Sequence, residues 1–480
     1  MMTSPSQQPI ETRTKIVATI GPSCRTVDQL VELVMAGVDV FRINAAHGTQ
    51  DDHDAAVAAI RQASQNTGRP IATLVDLSGP KIRLGELFED PTRCHFGATY
   101  RFVRGDTSGA ATDLTSNYER LIDELAVGNR IMLADGTVGM VVTKKTSDFA
   151  ECQVTAAGTI RSRQGINLPG AVLSVPAMTE RDIKTAKWAA SAEVDFVGLS
   201  FVRSPDDVVE LKNLLRANGS LALVVAKIEK PEALDRLEEI VSVSNVVMVA
   251  RGDLGVEIDI ADTPVAQKRI IQVCQRHHKP VIVATQMLDS MTHASQPTRA
   301  EATDVANAIL DGADACMLSG ETAVGDHPTL VVETMNRIMH STELLLLGTP
   351  SRSYQSDTPI HPVTSAIVHG AAQIAHHTNA KLVVVATQTG TTALVKSKQR
   401  DFIHTIGVSS DPATLRRMCL FWGIRPVEGA PVLDHAQLSE FIEDWGIRSK
   451  LLSKHDRIVF VTGSHVMAGV HNMVVVHEVR

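Results

Sequence analysis

The sequence has few aromatic residues and no hydrophobic run that approaches the length of a bilayer span. Aromatic residues make up 4% of the 480 positions, whereas hydrophobic residues make up 44%, so the chain can bury a large core and should form two or three domains. The first residues also lack the apolar stretch of a signal peptide. We therefore expect a cytoplasmic protein that is neither exported nor inserted into a membrane.

Paired cysteines and an excess of basic residues are also missing. The six cysteines lie far apart and form no C-x-x-C pair, which argues against a zinc site and against a disulfide framework. The formal net charge is -8, and lysine and arginine are scattered along the chain. We therefore expect no nucleic-acid partner, because the backbone of a nucleic acid would find no basic face.

Eight short apolar segments before residue 325 are typical of buried parallel strands. They are residues 15–21, 38–44, 70–77, 194–201, 222–229, 245–252, 279–286 and 313–320. Helical patterns lie between most of them, for example residues 27–36, 231–241, 264–277 and 298–310. Eight alternating units are the number that closes a (β/α)8 TIM barrel with its helices outside. The sequence predicts such a barrel over residues 13–84 and 177–345.

The spacing is interrupted once, between the third and fourth strands. Residues 85–176 contain short alternating runs such as 130–133 and 138–143, joined by Asp135-Gly136, a dipeptide favoured in tight hairpins. We predict an inserted small β-barrel domain here. Because it leaves and re-enters the barrel at the carboxyl ends of the strands, the rim that holds the active site in such barrels, it can act as a lid that excludes water. The alternative is that the inserted domain is passive and does not act as a lid.

Three further segments complete the predicted organisation. Residues 1–12 form an amino-terminal tail, and residues 346–362, rich in Gly, Pro and Ser, form a linker. Residues 363–480 are predicted to form an open α/β domain. Within it, a segment after a strand offers hydroxyl and backbone N–H groups to an anion; its residues are Thr387, Thr389, Gly390, Thr391 and Thr392. An ordinary strand-to-helix turn explains that segment equally well.

Two apolar runs end in charge at matching positions. Residues 221–230 close on Lys227 and Glu229, and residues 245–258 close on Arg251 and Asp253. If both runs are parallel strands, their last residues emerge at one rim. Carboxylates on two neighbouring strand ends suit Mg²⁺, and a lysine beside them can stabilise a transferring phosphoryl group. A structural ion pair at the rim is the alternative.

Eight ordered blocks of the sequence closely resemble pyruvate kinases. They are TKIVATIGPS (14–23), GVDVFRINAAHG (37–48), LVDLSGPKIRLG (74–85), GINLPG (165–170), AKIEK (226–230), MVARGDLGVEI (248–258), ATQML (284–288) and PTRAEATDVANAILDGADACMLSGETAVGDHP (297–328). The carboxyl-terminal domain resembles the regulatory domain of that family more loosely. The resemblance implies the transfer of a phosphoryl group from phosphoenolpyruvate to ADP, giving pyruvate and ATP, and we expect both nucleotides and pyruvate as partners.

The resemblance also assigns expected roles to individual residues. Glu229 and Asp253 would bind the divalent metal, Mg²⁺ or Mn²⁺, and Lys227 would stabilise the phosphoryl group in flight. Arg42 would contact the transferring phosphate. Backbone groups of Arg251, Gly252 and Asp253 and the Thr285 hydroxyl would bind the substrate carboxylate or lie near the methylene carbon. The nucleotide phosphates would be contacted by Asn44, His47 and Arg83. Thr285 with associated water is the preferred proton source for the enolate.

Simpler interpretations remain open for three of these residues. Arg42 could be a surface cation, His47 a helix-start cap and Thr285 a buried strand hydroxyl.

The chain departs from the family at the site of a monovalent cation. Relatives that need potassium bind it through Asn, Ser, Asp and Thr side chains, but here only Asn44 and Asp76 remain, with Ala46 and Leu77 at the other two positions. Lys81 stands where such relatives carry Glu, and a tethered ammonium can supply the missing charge. We predict that potassium is not required; a merely solvated Lys81 is the alternative.

Other departures and alternatives concern the nucleotide, the effector and the reaction class. Arg163 precedes the lid motif where relatives have Lys, so nucleotide contact could pass to it.

Residues 463–472 lack the Trp and Arg of relatives that bind fructose 1,6-bisphosphate, which leaves a sugar monophosphate, a nucleotide monophosphate or no effector. The resemblance implies a homotetramer. A magnesium-dependent pyruvate-enolate lyase and a non-catalytic metabolite sensor are the alternative functions.

Overall fold

The computed structural model describes residues 12–105, 107–171, 174–347, 362–463 and 471–480. Nearly all of the predicted amino-terminal tail, most of the predicted linker and most of the 463–472 loop lie outside these ranges. Strands β1–β21 and helices α1–α16 are numbered here in chain order.

Eight parallel strands form a closed barrel, which confirms the predicted (β/α)8 architecture. They are β1 (Lys15–Thr19), β2 (Val40–Asn44), β3 (Ala72–Asp76), β12 (Phe196–Leu199), β13 (Leu223–Ile228), β14 (Val246–Ala250), β15 (Val281–Ala284) and β16 (Ala315–Leu318). They pair in that order around the ring, and β16 pairs back with β1. The strands are shorter than the predicted segments because residues at one or both ends of each segment lie outside the sheet.

Helices surround the barrel. They are α1 (Val27–Ala36), α2 (Gln50–Thr67), α4 (Glu180–Ser191), α5 (Pro205–Ala217), α6 (Pro231–Asp235), α7 (Leu237–Val243), α8 (Arg251–Glu257), α9 (Thr263–Arg276), α10 (Arg299–Asp311), α11 (Gly320–Ala323) and α12 (Pro328–Leu346). Helix α10 has the caps that its sequence predicts, with the Thr298 hydroxyl at its start and Gly312 at φ 102° after its end. The predicted single helix over 231–241 is instead two helices, because the backbone leaves the helical conformation at Arg236.

Apolar side chains fill both sides of the barrel sheet. One cluster lies between the strands and the outer helices, and a second lies inside the barrel, where Val17, Phe196 and Met248 are fully buried. The inner cluster continues into Cys419 and Leu420 of the carboxyl-terminal part, which close the amino-terminal end of the barrel. The opposite end stays open to the polar residues that follow the strands.

A repeated hydrogen bond organises the closed end. The residue just before every second strand is Asp or Asn, and its side chain accepts a backbone N–H from the strand that comes before it in the ring. The four bonds, of 2.8 to 3.1 Å, join Asp39 to Ile16, Asp195 to Thr73, Asn245 to Val224 and Asp314 to Val281. Each of these bonds satisfies a buried backbone N–H group near the amino-terminal end of a barrel strand.

The predicted insertion is a β unit. It contains β4 (Thr92–Cys94), β5 (Thr99–Val103), β6 (Asp113–Leu114), β7 (Arg130–Leu133), β8 (Val138–Lys145), β9 (Phe149–Ala156), β10 (Gly158–Ile160), β11 (Ile166–Asn167) and the short helix α3 (Leu121–Glu124). Six strands form one sheet in the order β11-β7-β8-β9-β5-β6, and β4 pairs with β10. In the described residues the six-stranded sheet is a half-barrel with two edges, β11 and β6, rather than a closed ring.

The hairpin between β7 and β8 forms as predicted. Ala134, Asp135 and Gly136 take φ values of 50°, 52° and 86° at its turn, a backbone conformation that Gly and Asp tolerate better than other residues.

The carboxyl-terminal part is an open α/β sheet, as predicted. It contains α13 (Pro362–His377), β17 (Leu382–Ala386), α14 (Thr391–Lys398), β18 (His404–Val408), α15 (Pro412–Met418), β19 (Ile424–Val427), α16 (His435–Arg448), β20 (Arg457–Gly463) and β21 (His471–Glu478). The sheet order is β19-β18-β17-β20-β21, and β21 is antiparallel to β20. Strand β19 was not anticipated because it contains Pro426; as an edge strand it tolerates the proline.

Buried ion pairs join this part to the barrel. Lys398 Nζ lies 2.7 Å from Asp314 Oδ2, and Arg400 Nη2 lies 3.0 Å from Asp314 Oδ1. Arg416 Nε lies 2.8 Å from Asp195 Oδ1. Two of the four repeated side chains at the closed end therefore also hold the carboxyl-terminal part. Across the described ranges, every helix is too short or too polar to cross a membrane.

Candidate active site

Four charged side chains meet where β2, β3 and β13 reach the open end of the barrel. Arg42 donates from Nε and Nη2 to Asp76 Oδ2, at 2.9 and 2.7 Å. Lys227 Nζ lies 3.3 Å from the same Asp76 oxygen and 3.0 Å from Glu229 Oε1. Arg42 is 9% exposed and Glu229 is 1% exposed, so Arg42 is not the surface cation of the simpler interpretation.

The charges in this cluster shift one another's pKa values. Burial acts to raise the pKa of Asp76, but Lys227 and Arg42 outweigh it and the pKa is lowered. Burial acts to lower the pKa of Lys227, but the charges of Asp76 and Glu229 raise it. Burial raises the pKa of Glu229, and the charge of Asp253 adds to this shift. Asp76 and Lys227 are therefore held ionised, whereas Glu229 lacks enough positive charge around it.

Two residues that follow or lie in β12 shape this cluster. Gly198 pairs with Asp76 across the sheet, and a Cβ at Gly198 would lie 2.7 Å from Asp76 Oδ1. Ser200 accepts a hydrogen bond from Lys227 Nζ at 2.8 Å and donates to Leu77 O at 2.7 Å. The absence of a side chain at 198 makes room for the carboxylate, and the Ser200 hydroxyl orients the ammonium.

Asp253 stands on the neighbouring helix α8, close enough to Glu229 for their charges to repel. Its Oδ1 lies 3.2 Å from Lys81 Nζ. Among the described residues there is no group of three or more His, Cys, Asp or Glu side chains arranged for a metal, so the candidate ligands at this rim are the two carboxylates of Glu229 and Asp253. Two carboxylates suit Mg²⁺, which takes few protein ligands, and a bound cation would offset both the burial and the Asp253 charge that raise the pKa of Glu229.

Thr285 follows β15 directly and has a left-handed backbone. Its φ is 69°, and that of Gln286 is 55°; a threonine in this region is strained, which is common at functional sites. Its hydroxyl accepts the Gly252 N–H at 2.8 Å and donates to Ala284 O at 2.6 Å. The hydroxyl is therefore half-buried just beyond the strand, beside the first turn of α8, rather than within the strand.

The Arg251 guanidinium makes structural contacts behind Thr285 and does not join the charge cluster around Lys227. The side chain points into the helix layer, where it donates to Asp304 Oδ2 at 2.5 Å and to Thr285 O at 2.7 Å. The backbone of Arg251, Gly252 and Asp253 forms the first turn of α8 beside Thr285.

The predicted nucleotide contacts lie farther out on the rim. Asn44 Oδ1 accepts the Ala46 N–H at 3.2 Å, and His47 is exposed. Helix α2 is capped by Thr49, so His47 is not the helix cap of the simpler interpretation. Arg83 Nη1 donates to the Arg163 carbonyl at 3.2 Å.

The inserted unit lies directly over these residues. The segment that leaves β3 pairs with the returning end of the insertion: the Ile166 N–H donates to Ile82 O at 2.9 Å, and the Leu84 N–H donates to Gln164 O at 2.8 Å. A Cβ at Gly165 would lie 3.0 Å from the Lys81 side chain. A narrow cleft remains between the insertion and the rim, lined among others by Lys81, Asn167, Phe201, Arg203 and Lys230.

The predicted anion segment of the carboxyl-terminal part forms the turn between β17 and α14. Gly390 has φ 84°, and its N–H donates to Thr387 Oγ1 at 3.1 Å. The hydroxyls of Thr389 and Thr391 lie 3.0 Å apart, and Thr392 is buried. This geometry is compatible with both interpretations of the segment.

Two contributors to the site were not singled out from the sequence. Ser200 follows β12 at the same rim, so the rule that polar residues after parallel strands converge could have identified it. Gly198 carries no such signal, because its importance depends on the Asp76 side chain that approaches from another strand.

Comparisons with known proteins agree with this geometry over almost the whole chain. A family model described as "Pyruvate kinase, barrel domain" matches residues 11–332, and one described as "Pyruvate kinase, alpha/beta domain" matches residues 365–477. A pyruvate kinase of Corynebacterium efficiens is 40% identical over 469 residues, which cover 98% of each chain. One of Mycobacterium tuberculosis is 42% identical over 411 residues, which cover 86% of each chain.

A solved structure has the same architecture. It is a pyruvate kinase from Cryptosporidium parvum, which superimposes with a TM-score of 0.90 at 31% identity and covers 98% of this chain and 96% of its own. The chain therefore belongs to the pyruvate kinase family of phosphotransferases.

Proposed function

We propose that this chain transfers the phosphoryl group of phosphoenolpyruvate to ADP, giving pyruvate and ATP. The observation that carries this proposal is the position of Lys227, whose ammonium lies 3.0 Å from Glu229 and 3.3 Å from Asp76 beneath the inserted unit. A fixed positive charge in a buried site stabilises the charge that develops on a transferring phosphoryl group. No comparison favours the lyase alternative, which would not need the inserted unit.

Enzymes of this family generally use a divalent metal and potassium. For the divalent metal we propose Mg²⁺, with Mn²⁺ as a substitute, held by Glu229 and Asp253. The cation would polarise the phosphoryl and enolate oxygens. Lys81 now contacts Asp253, so it would share this carboxylate with the metal or move toward the substrates.

Arg42 and Thr285 are assigned to the two ends of the reacting substrate. Arg42 is held by Asp76 and by the Thr19 hydroxyl, and its remaining N–H groups would contact the transferring phosphate. The backbone of Arg251, Gly252 and Asp253 and the Thr285 hydroxyl would bind the substrate carboxylate. Thr285 with a water would then return a proton to the enolate carbon.

The nucleotide phosphates are assigned to the outer rim. Asn44, His47 and Arg83 would contact them from the barrel, and Arg163 would approach from the inserted unit. Arg163 is exposed and paired with Glu86 at 2.5 Å, so a phosphate would compete with an exposed ion pair that contributes little stability.

Potassium is proposed to be unnecessary. Two of the four side chains that hold it in dependent relatives are replaced by Ala46 and Leu77, which have no side-chain oxygen. The remaining Asp76 is already neutralised by Arg42 and Lys227, and Lys81 supplies a further positive charge nearby.

The division of labour along the chain is part of the same proposal. Residues 13–84 and 177–345 would form the catalytic barrel, 85–176 the lid and 363–480 a regulatory domain after a linker at 346–362. The turn at residues 387–392 would hold one phosphate of an effector, either a sugar monophosphate or a nucleotide monophosphate. We further propose a cytoplasmic homotetramer.

Replacing Lys227 with Met tests the assignment directly. We expect turnover in an assay of ADP phosphorylation to fall by about 10²- to 10³-fold, the usual loss when a preorganised charge is removed, while circular dichroism stays unchanged. The control is Lys144→Met, because Lys144 is exposed on the inserted unit. Ordinary turnover in Lys227→Met would defeat the proposed role of this residue, and wild-type protein that forms no ATP would defeat the reaction itself.

A further inference from the structure

Glu257, the last residue of α8, is a buried carboxylate that joins the inserted unit to the barrel. Its side chain is 1% exposed. Its Oε1 accepts a hydrogen bond from Asn167 Nδ2 of the inserted unit at 3.1 Å and one from Lys230 Nζ of the barrel rim at 2.5 Å. One oxygen therefore receives donors from two separately folded parts of the chain.

One partner of Glu257, Lys230, and the helix that carries Glu257 both lead to the proposed metal carboxylates. Lys230 directly follows Glu229 in the sequence. Asp253 lies four residues before Glu257 on the same helix, and residues at that spacing share one helix face. A displacement of Glu257 would thus be transmitted to Asp253 through a single helical turn.

Helix α8 depends on such contacts for its position. It has seven residues, two of which are Gly252 and Gly255, so it is too short and too glycine-rich to be stable by itself. Its first turn is fixed by Arg251, whose guanidinium binds Asp304. Its last turn is fixed by Glu257.

A second contact places the inserted unit against the same helix. A Cβ at Gly136, in the turn of the β7–β8 hairpin, would lie 3.3 Å from Val256 Cγ2. The insertion therefore touches the last turn of α8 at two points, the hairpin turn and Asn167.

We propose that Glu257 is a positioning residue that couples docking of the inserted unit to the placement of Asp253, and so to the affinity for a divalent cation. This inference rests on the proposed function, in which Asp253 is a metal ligand. Because coupling between two sites is reciprocal, a bound cation should in turn hold the inserted unit against α8.

The test uses Mn²⁺ alone as the probe, with the full chain and no substrate. Free Mn²⁺ measured by electron paramagnetic resonance gives the dissociation constant. We expect Asn167→Ala to raise this constant about three- to tenfold, the range expected for loss of one hydrogen bond. Asn129→Ala is the matched control, because the Asn129 side chain bonds to the Ala126 N–H inside the inserted unit; its Mn²⁺ affinity should equal that of the wild type.

Two further measurements separate positioning from a general defect of the insertion. The double variant Asn167→Ala with Glu257→Gln should bind Mn²⁺ no more weakly than the weaker single variant, since both changes act through one carboxylate. Mn²⁺ should also slow amide hydrogen exchange in the 130–145 hairpin of the wild type, and this slowing should be lost in Asn167→Ala.

The outcomes distinguish this inference from the function on which it rests. If Asp253→Asn weakens Mn²⁺ binding but Asn167→Ala does not, the coupling is wrong and the metal site stands. Effects of Asn167→Ala and Glu257→Gln that simply add also overturn the coupling. If Asp253→Asn binds Mn²⁺ as tightly as the wild type, the proposed metal site and this inference fail together.

Discussion

The ion cluster around Asp314 should contribute strongly to the attachment of the carboxyl-terminal part. Asp314 is fully buried, and its two oxygens accept from Lys398 at 2.7 Å, Arg400 at 3.0 Å and the Val281 N–H at 2.8 Å. Asp314→Asn keeps the shape but leaves the buried Lys398 and the half-buried Arg400 without a carboxylate. Breaking a buried ion pair in this way typically costs about 3–5 kcal/mol.

Neutral acceptors near the two cations decide where in that range the loss of stability of Asp314→Asn should fall. Lys398 also donates to Lys279 O at 2.7 Å, and Arg400 also donates to Gly312 O at 2.8 Å. These carbonyls partly compensate the lost carboxylate, so we expect a loss of about 3 kcal/mol for Asp314→Asn. Adding Lys398→Met removes one of the stranded charges and should recover part of that loss, since an ion pair replaced by apolar groups is often neutral.

Trp422 provides a local signal for this measurement. The Arg400 guanidinium lies 4.5 Å from its ring centroid, so its fluorescence reports on the cluster while urea is added, in a chain whose other two tryptophans, Trp188 and Trp445, are changed to Phe. Because a chain of several domains does not unfold in one step, the transition seen by this probe is the one to compare. Asp123→Asn, which breaks the exposed pair with Arg104, is the control and should leave the midpoint unchanged.

Two results would refute this reasoning. A loss below about 1 kcal/mol in Asp314→Asn would mean that the cluster is solvated or easily rearranged, as surface pairs are. A double variant that is less stable than Asp314→Asn would mean that Lys398 stabilises the chain by packing and not through its charge.

Three other predictions concern the sites. The wild type should turn over in tetramethylammonium buffer without potassium, and Lys81→Glu should create a dependence on KCl; strong KCl dependence of the wild type would contradict the role given to Lys81. Gly198→Ala should lower turnover without unfolding the chain, because the added Cβ would lie 2.7 Å from Asp76 Oδ1; normal turnover would show that Asp76 can move harmlessly. In isothermal titration with sugar and nucleotide monophosphates, Thr391→Ala with Thr392→Ala should abolish any heat of binding, and unchanged heat would place the effector elsewhere.

Much of the barrel could be predicted from the sequence because its signals are local. Each barrel strand is a short, mostly apolar run, and helix α10 begins and ends at the Thr298 and Gly312 caps. Strand β19 escaped prediction because Pro426 resembles a strand breaker unless the strand is known to lie at an edge. The left-handed backbone of Thr285 had no local signal at all.

The same distinction applies to the candidate site. Parallel strands point their carboxyl ends to one rim, so Lys227 and Glu229 on one run and Asp253 on the next could be expected to converge. Which ammonium faces which carboxylate could not be read from the chain: Lys81 contacts Asp253, although 172 positions separate them. Pairings of this kind depend on the registers of several strands and on the way in which the insertion returns to the rim.

The amino-acid sequence by itself determined the element types, their order and the set of charged residues at the open end, because propensity, capping and strand direction act over a few neighbours. Tertiary structure alone decided the attachment of the carboxyl-terminal part through Asp314 and the joining of the insertion to α8 through Glu257. Those contacts require a buried carboxylate to meet donors from distant segments, and only the packed chain brings such groups within hydrogen-bonding distance.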